Sequence, residues 1–136
     1  MHVDFSSMKP IYVQIAEAIE DDILLGKLEE GEAAYSQLVL SRELTVNPAT
    51  AAKGLRLLVE KGLLEKQRGL SMTVAEGARE RLTTEKQQGG FSQMAENLVR
   101  EARKIGLPKE QVLSTIETLF ETTDETQSTE GSERDD

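Results

Sequence analysis

The chain has 136 residues, with 16 basic and 25 acidic side chains, no cysteine and one histidine, His2. That length suits one domain with an appendage; the absence of cysteine excludes disulfides, thiolate metal sites and thiol catalysis, and a single histidine argues against a multi-histidine metal site or a Ser-His-Asp triad. The net charge of −9, taken whole, argues against nucleic acid. From Ile11 to Leu25 the residues Ile11, Ile15, Ala18, Ile19 and Ile23 recur at helical spacing, with Pro10 before them and Gly26 after, so the spacing predicts a first helix. No apolar run is longer than a few residues, so no membrane span is expected. The opening Met1-His2-Val3-Asp4-Phe5 has no basic stretch leading into an apolar one, which predicts a cytoplasmic protein without a secretory signal.

Ser36 is a good N-cap for a short second helix that carries Leu38, Leu40 and Leu44. Asn47 caps a third helix, with Pro48 at its first position and Ala52, Leu55, Leu58 and Val59 facing inward, and Gly62 ends it. Two short helices joined by a tight turn match the helix-turn-helix unit. Leu63 to Arg68 and Leu70 to Val74 read as strands around Gly69. Helix, helix, helix, hairpin is the order of a winged helix domain.

Beyond Val74 the chain turns polar. A long fourth helix is expected, weakened at Gly89-Gly90, with Phe91, Met94, Leu98, Ala102 and Ile105 in one stripe. After Gly106 a last helix begins at Leu107-Pro108 and carries Val112, Leu113, Ile116, Leu119 and Phe120. A helix pair with one apolar face each packs best on a second copy of itself. Phe91, Met94, Leu98, Ile105, Leu113, Ile116 and Phe120 are the candidate dimerisation residues. The stretch from Thr122 has no aliphatic residue and is expected to be disordered. The expected fold is thus mostly α with a small β-hairpin: a winged helix-turn-helix domain over 1–75, a two-helix dimerisation segment over 76–121, and an acidic tail over 122–136.

Charge is uneven along the chain. Residues 42–68 carry six bases against three acids, while residues 1–41 and 121–136 each have a net charge of −6. The basic segment coincides with the second and third helices and the first strand.

Several motifs together resemble the GntR-type transcription regulators, in the small YtrA-like branch. Pro10-Ile11-Tyr12-Val13-Gln14-Ile15, then Gly26-Lys27-Leu28 and Gly31-Glu32, look like the family's opening. Val46-Asn47-Pro48-Ala49-Thr50-Ala51-Ala52-Lys53 resembles the start of its recognition helix. Leu57-Leu58-Val59-Glu60-Lys61-Gly62-Leu63-Leu64 resembles the end of that helix and the first wing strand, and Arg68-Gly69 sits at the wing tip. The resemblance covers about residues 10 to 75 and implies a homodimeric DNA-binding regulator that reads an inverted repeat and often controls transporter genes. The sequence also departs from the family pattern. Tyr35 stands where the family has proline, Leu38 where it has a DNA-contacting arginine, Ser71 and Thr73 where it has a glycine and an aromatic, and Pro108 where a serine cap is common.

A recognition helix reads base edges with its N-terminal residues, which here are Asn47, Ala49, Thr50 and Lys53. Asn47 is also the expected cap. Ser36 and Gln37, at a helix start that suits phosphate, and Arg68 with Gly69 at the turn complete the candidate DNA-binding set. Arg42, Arg56, Lys61 and Lys66 are read as general positive field, Tyr35 as packing beside the first helix, and Met8, Met72 and Met94 as core filler. Glu20-Asp21-Asp22 fans around its helix and does not converge on a metal. No cofactor, catalytic group or membrane contact is expected, and no small-molecule effector is assigned. The reading is a repressor that binds duplex DNA as a homodimer. The alternative is a winged helix that has lost DNA binding and serves protein interaction, on the strength of the acidic balance and Leu38.

Overall fold

The structure is a computed structural model and describes residues 1–69 and 71–134. The elements in order are α1 (Ile11–Leu24), α2 (Gln37–Leu44), α3 (Pro48–Glu60), β1 (Leu64–Glu65), β2 (Thr73–Val74), α4 (Ala78–Glu85), a π turn (Lys86–Gly90), α5 (Phe91–Lys104) and α6 (Lys109–Arg134). Two compact units result, residues 1–88 and residues 89–136. The expected boundary at 75/76 therefore moves to the Gly89-Gly90 pair. The reason is α4, whose Ala78 and Leu82 are buried in the same core as α1.

Local chemistry sets the first three helices. Pro10 precedes α1, and its carbonyl accepts from the Val13 and Gln14 amides. Gly26, at φ +76, closes α1 in the left-handed conformation that glycine adopts without steric cost. Ser36 Oγ accepts from the Val39 amide at 3.1 Å, and Asn47 Oδ1 accepts from the Ala49 amide at 2.8 Å. Both sequence-derived caps therefore form. Between α2 and α3 the chain turns at Thr45, whose φ of 55° is left-handed despite its β-branched side chain.

Ile15, Ile19 and Ile23 line one face of α1 and are buried in one core with Leu40 of α2 and Leu58 of α3. Burying each such aliphatic side chain contributes about 1.5–3 kcal/mol. The third helix is rotated from its expected register: Ala51, Gly54, Leu55 and Leu58 are buried, while Ala52 and Val59 are only half-buried. Gly54 explains this. A Cβ built on it would stand 3.0 Å from the Tyr12 carbonyl oxygen and 3.1 Å from Ile15 Cγ2, so α1 packs directly on the α3 backbone at that point.

The hairpin is shorter than its sequence pattern. Leu64 pairs with Val74 and Glu65 with Thr73, and the ladder stops there. Lys66, Gln67 and Arg68 are all exposed, so no buried face extends the pairing. Leu70 lies outside the described residues. The other edge of β2 is covered by the segment after α1: Val74 donates to Glu32 O at 3.0 Å and Ala34 donates to Met72 O at 2.7 Å. No alternation of apolar and polar residues in that segment predicts a strand.

Expectations for the polar half also change. The long fourth helix is divided by the π turn at the predicted weak point. The backbone of α6 is helical to Arg134, where composition predicts disorder from Thr122; Asp135 and Asp136 lie outside the described residues. No proline lies beyond Pro108 and only Gly131 interrupts the run, so nothing removes a donor from the helical ladder. Met8 is 99% exposed and Met94 69%, so neither fills a core; Met72 does pack against it. Among the described residues, no helix is long and apolar enough to cross a membrane.

Candidate nucleic-acid interface

A groove of about 540 Å³ opens between the start of α2, one side of α3 and the hairpin. Tyr35, Ser36 and Gln37 form one end, Ala52, Leu55, Arg56 and Val59 the floor, and Lys66, Arg68, Ser71 and Met72 the hairpin wall. Three cations, Arg56, Lys66 and Arg68, line it, and none of its described lining residues is a carboxylate. A concave surface lined only by positive charge concentrates field lines and attracts polyanions. The N-terminal end of α2 adds amide donors and a partial positive charge at the Ser36 end.

The structure places the expected site residues in two groups. Ser36, Gln37 and Arg68 line the groove, with Gly69 next to Arg68 in the hairpin turn at φ +75. Asn47, Ala49 and Lys53 are exposed at the start of α3. Ala49, Lys53 and Arg56 follow at i, i+4 and i+7, so they form one stripe that leads into the groove. Thr50 departs from this arrangement. It is half-buried and falls off the stripe, because the turn of α3 that puts Gly54 under α1 carries Thr50 to its flank. Asn47 spends its Oδ1 on the Ala49 amide, the oxygen a bidentate pairing with adenine would use.

Arg56 and Lys66, general positive field by sequence, both line the groove. The available signal was the i+7 relation of Arg56 to Ala49. Tyr35 does lie beside α1: its hydroxyl donates to Asp22 Oδ2 at 2.9 Å, which ties the start of α2 to the end of α1. Partial burial, reinforced by Asp22, raises its phenol above the usual tyrosine value. Leu38 is 60% exposed on α2, where the family pattern carries arginine.

Sequence reasoning did not foresee the fate of Glu20. Its side chain is 3% exposed and meets Lys61 Nζ at 2.9 Å and Lys86 Nζ at 3.7 Å. The pair joins α1, the end of α3 and the π turn. Among the described residues no group of His, Asp or Glu is arranged to hold a metal.

In the second unit, Phe91, Met94, Leu98, Ile105, Leu113 and Phe120 are all exposed, and Ile116 is half-buried. A cavity of about 430 Å³ lies between α5 and α6, lined by Leu98, Val99, Ala102, Val112, Leu113 and Ile116, among others. Of α5, only Ala102 is buried. That apolar surface is not satisfied within one chain.

No family model matches the chain. It is 30% identical over 121 residues to an uncharacterised HTH-type transcriptional regulator, YhcF, of Bacillus subtilis, covering 89% of this chain and 98% of that protein. It is 29% identical over 79 residues to the HTH-type transcriptional repressor YtrA of the same organism, 58% of this chain and 61% of the relative. Among solved structures, a GntR family transcriptional regulator from Listeria monocytogenes superposes with a TM-score of 0.70 at 29% identity, covering 84% of this chain and 98% of that one. The DNA-binding domain of AraR, solved in complex with its operator ORX1, superposes with a TM-score of 0.50 at 28% identity, covering 55% of this chain and 93% of that one.

Proposed function

This chain belongs to the GntR family of helix-turn-helix transcription regulators, a family of regulators and not of enzymes, and from that premise we propose that it is a cytoplasmic repressor that binds an inverted-repeat operator as a homodimer. The carrying observation is the acid-free groove, in which Arg56, Lys66 and Arg68 meet the amide-rich start of α2 beside the outward stripe of α3. In this reading the N-terminal residues of α3 enter the major groove. Ala49 and Lys53 meet base edges, and Asn47 stands beside them as the cap. Ser36, Gln37, Arg56 and Lys66 follow the phosphates, while Arg68 and Gly69 reach the backbone or the minor groove.

The local charge outweighs the total. DNA meets a groove that carries Arg56, Lys66 and Arg68 and no described carboxylate, not the chain's average of −9. The exposed apolar face of α5 and α6 supports pairing with a second copy through Phe91, Met94, Leu98, Ile105, Leu113, Ile116 and Phe120. A two-fold dimer presents two recognition helices to two half-sites, which is why its operator is an inverted repeat. The repressor role is carried over from the relative YtrA, a transcriptional repressor. Control of transporter genes follows the branch that the sequence resembles.

The test is selection of bound duplexes from a random DNA pool, followed by titration of the winner across salt concentrations. Enrichment of an inverted repeat, with affinity falling steeply as salt rises, is the expected result. No enrichment and no binding at low salt would overturn the reading and turn the partner search to proteins.

A further inference from the structure

We infer that Tyr12 is a positioning residue for DNA recognition: its ring holds the Lys53 ammonium in one place on the outward face of α3 and so sets which base pair that cation meets. The inference rests on the DNA-reading proposal above and adds to it a residue of α1, a helix with no other part in that reading. Lys53 Nζ lies 4.2 Å from the centroid of the Tyr12 ring, within the range of a cation–π contact. Lys53 is otherwise exposed, and among the described residues no carboxylate lies within ion-pairing distance of it.

The choice of partner matters chemically. A carboxylate at this position would orient the lysine but cancel its charge and occupy its N–H donors. A π face orients the ammonium while leaving its charge and most of its hydration sites for guanine or phosphate. An unheld lysine has a four-carbon stem that reaches many acceptors and loses that freedom on binding. A held one meets one acceptor and gives up less.

The register of this contact is built into the helix packing. Gly54 follows Lys53 directly, and its missing side chain lets the Tyr12 carbonyl lie where a Cβ would stand only 3.0 Å away. Glycine inside a helix is normally unfavourable. Here it draws the first turn of α1 against α3 one residue beyond Lys53, which brings the Tyr12 ring beneath the ammonium.

The test compares the full chain with Tyr12→Phe, Tyr12→Leu, Lys53→Ala and the Tyr12→Leu/Lys53→Ala pair. Each is titrated against the selected duplex and its single-base variants. Tyr12→Phe keeps affinity and base preference. Tyr12→Leu lowers affinity about two- to five-fold. It also flattens base preference at the same position that Lys53→Ala flattens. The double variant binds no worse than Lys53→Ala alone. Independently of DNA, the Lys53 ε-methylene protons of the wild-type chain show an upfield ring-current shift in NMR spectra that Tyr12→Leu removes. Additive losses, an unmoved base profile, tighter binding by Tyr12→Leu, or unshifted Lys53 protons would each overturn the inference while the DNA-reading proposal stood. A wild-type chain that selects no duplex would overturn both.

Discussion

The buried Glu20 carboxylate and Lys61 Nζ lie 2.9 Å apart across 41 residues of sequence. The carboxylate is 3% exposed and the lysine 40%, so the acid depends on the base more than the base on the acid. Removing the lysine leaves a buried charge with only Lys86, at 3.7 Å, to answer it. Removing the charge from the acid leaves two half-exposed lysines that water can serve. Lys61→Met is therefore expected to cost about 2 kcal/mol and Glu20→Gln about 1 kcal/mol, both discounted for the exposure of the lysines. Urea unfolding of the two variants reads the order. A larger loss for Glu20→Gln would mean that the two lysines depend on the carboxylate more than the carboxylate depends on them.

Gly54→Ala puts two effects in opposition. Alanine is favoured over glycine in a helix interior by about 1 kcal/mol. The added methyl, however, would stand 3.0 Å from a backbone carbonyl of α1 and 3.1–3.2 Å from Ile15, and a backbone atom in a packed helix pair does not yield cheaply. Overpacking costs about 1–3 kcal/mol, so the net effect is a destabilisation of about 1 kcal/mol. The denaturation midpoint falls if α1 and α3 are as close as described. A rise would show that the helices separate without penalty.

These two positions mark what the sequence can and cannot convey. Ser36, Asn47 and Pro48 announced their helices because capping is decided within three residues. The turn at Gly69 was legible for the same reason. The burial of Glu20 was not, because it stands in an acidic run and its partner Lys61 lies on another helix. The rotation of α3 was hidden too. Gly54 has no side chain to register as apolar, so the periodicity pointed to Ala52 and Val59 as core. That error of about one residue turned Arg56 away from the groove and Thr50 toward it. The helical backbone beyond Thr122 was missed because the absence of aliphatic residues was weighed above the absence of helix breakers.

The groove makes a graded prediction about salt. Each side chain that neutralises a phosphate adds about one unit to the slope of log affinity against log salt. Arg56→Ala, Lys66→Ala and Arg68→Ala are each expected to lower that slope by about one unit while leaving base preference unchanged. Lys61→Met, whose lysine is committed to Glu20, leaves the slope as it was. Thr50→Ala, half-buried on the flank of α3, shifts affinity less than Lys53→Ala. Anisotropy titrations at four or five salt concentrations separate these cases. A slope unmoved by the three groove cations would remove them from the phosphate path.

Leu98 stands 47% exposed on α5 and lines the cavity between α5 and α6. A carboxylate there would be desolvated by a partner helix but remains hydrated in a lone chain. Leu98→Asp therefore penalises association far more than folding of the single chain. Burying an unpaired charge costs several kcal/mol, enough to shift a micromolar dimer to monomer at any ordinary concentration. Sedimentation equilibrium is expected to give a monomer with helical content retained. Operator affinity falls steeply, because two half-sites bound by separate chains lose the effective concentration that a linked pair enjoys. A dimeric Leu98→Asp protein would place the interface elsewhere. A monomer that kept full affinity would mean that one chain reads the whole operator.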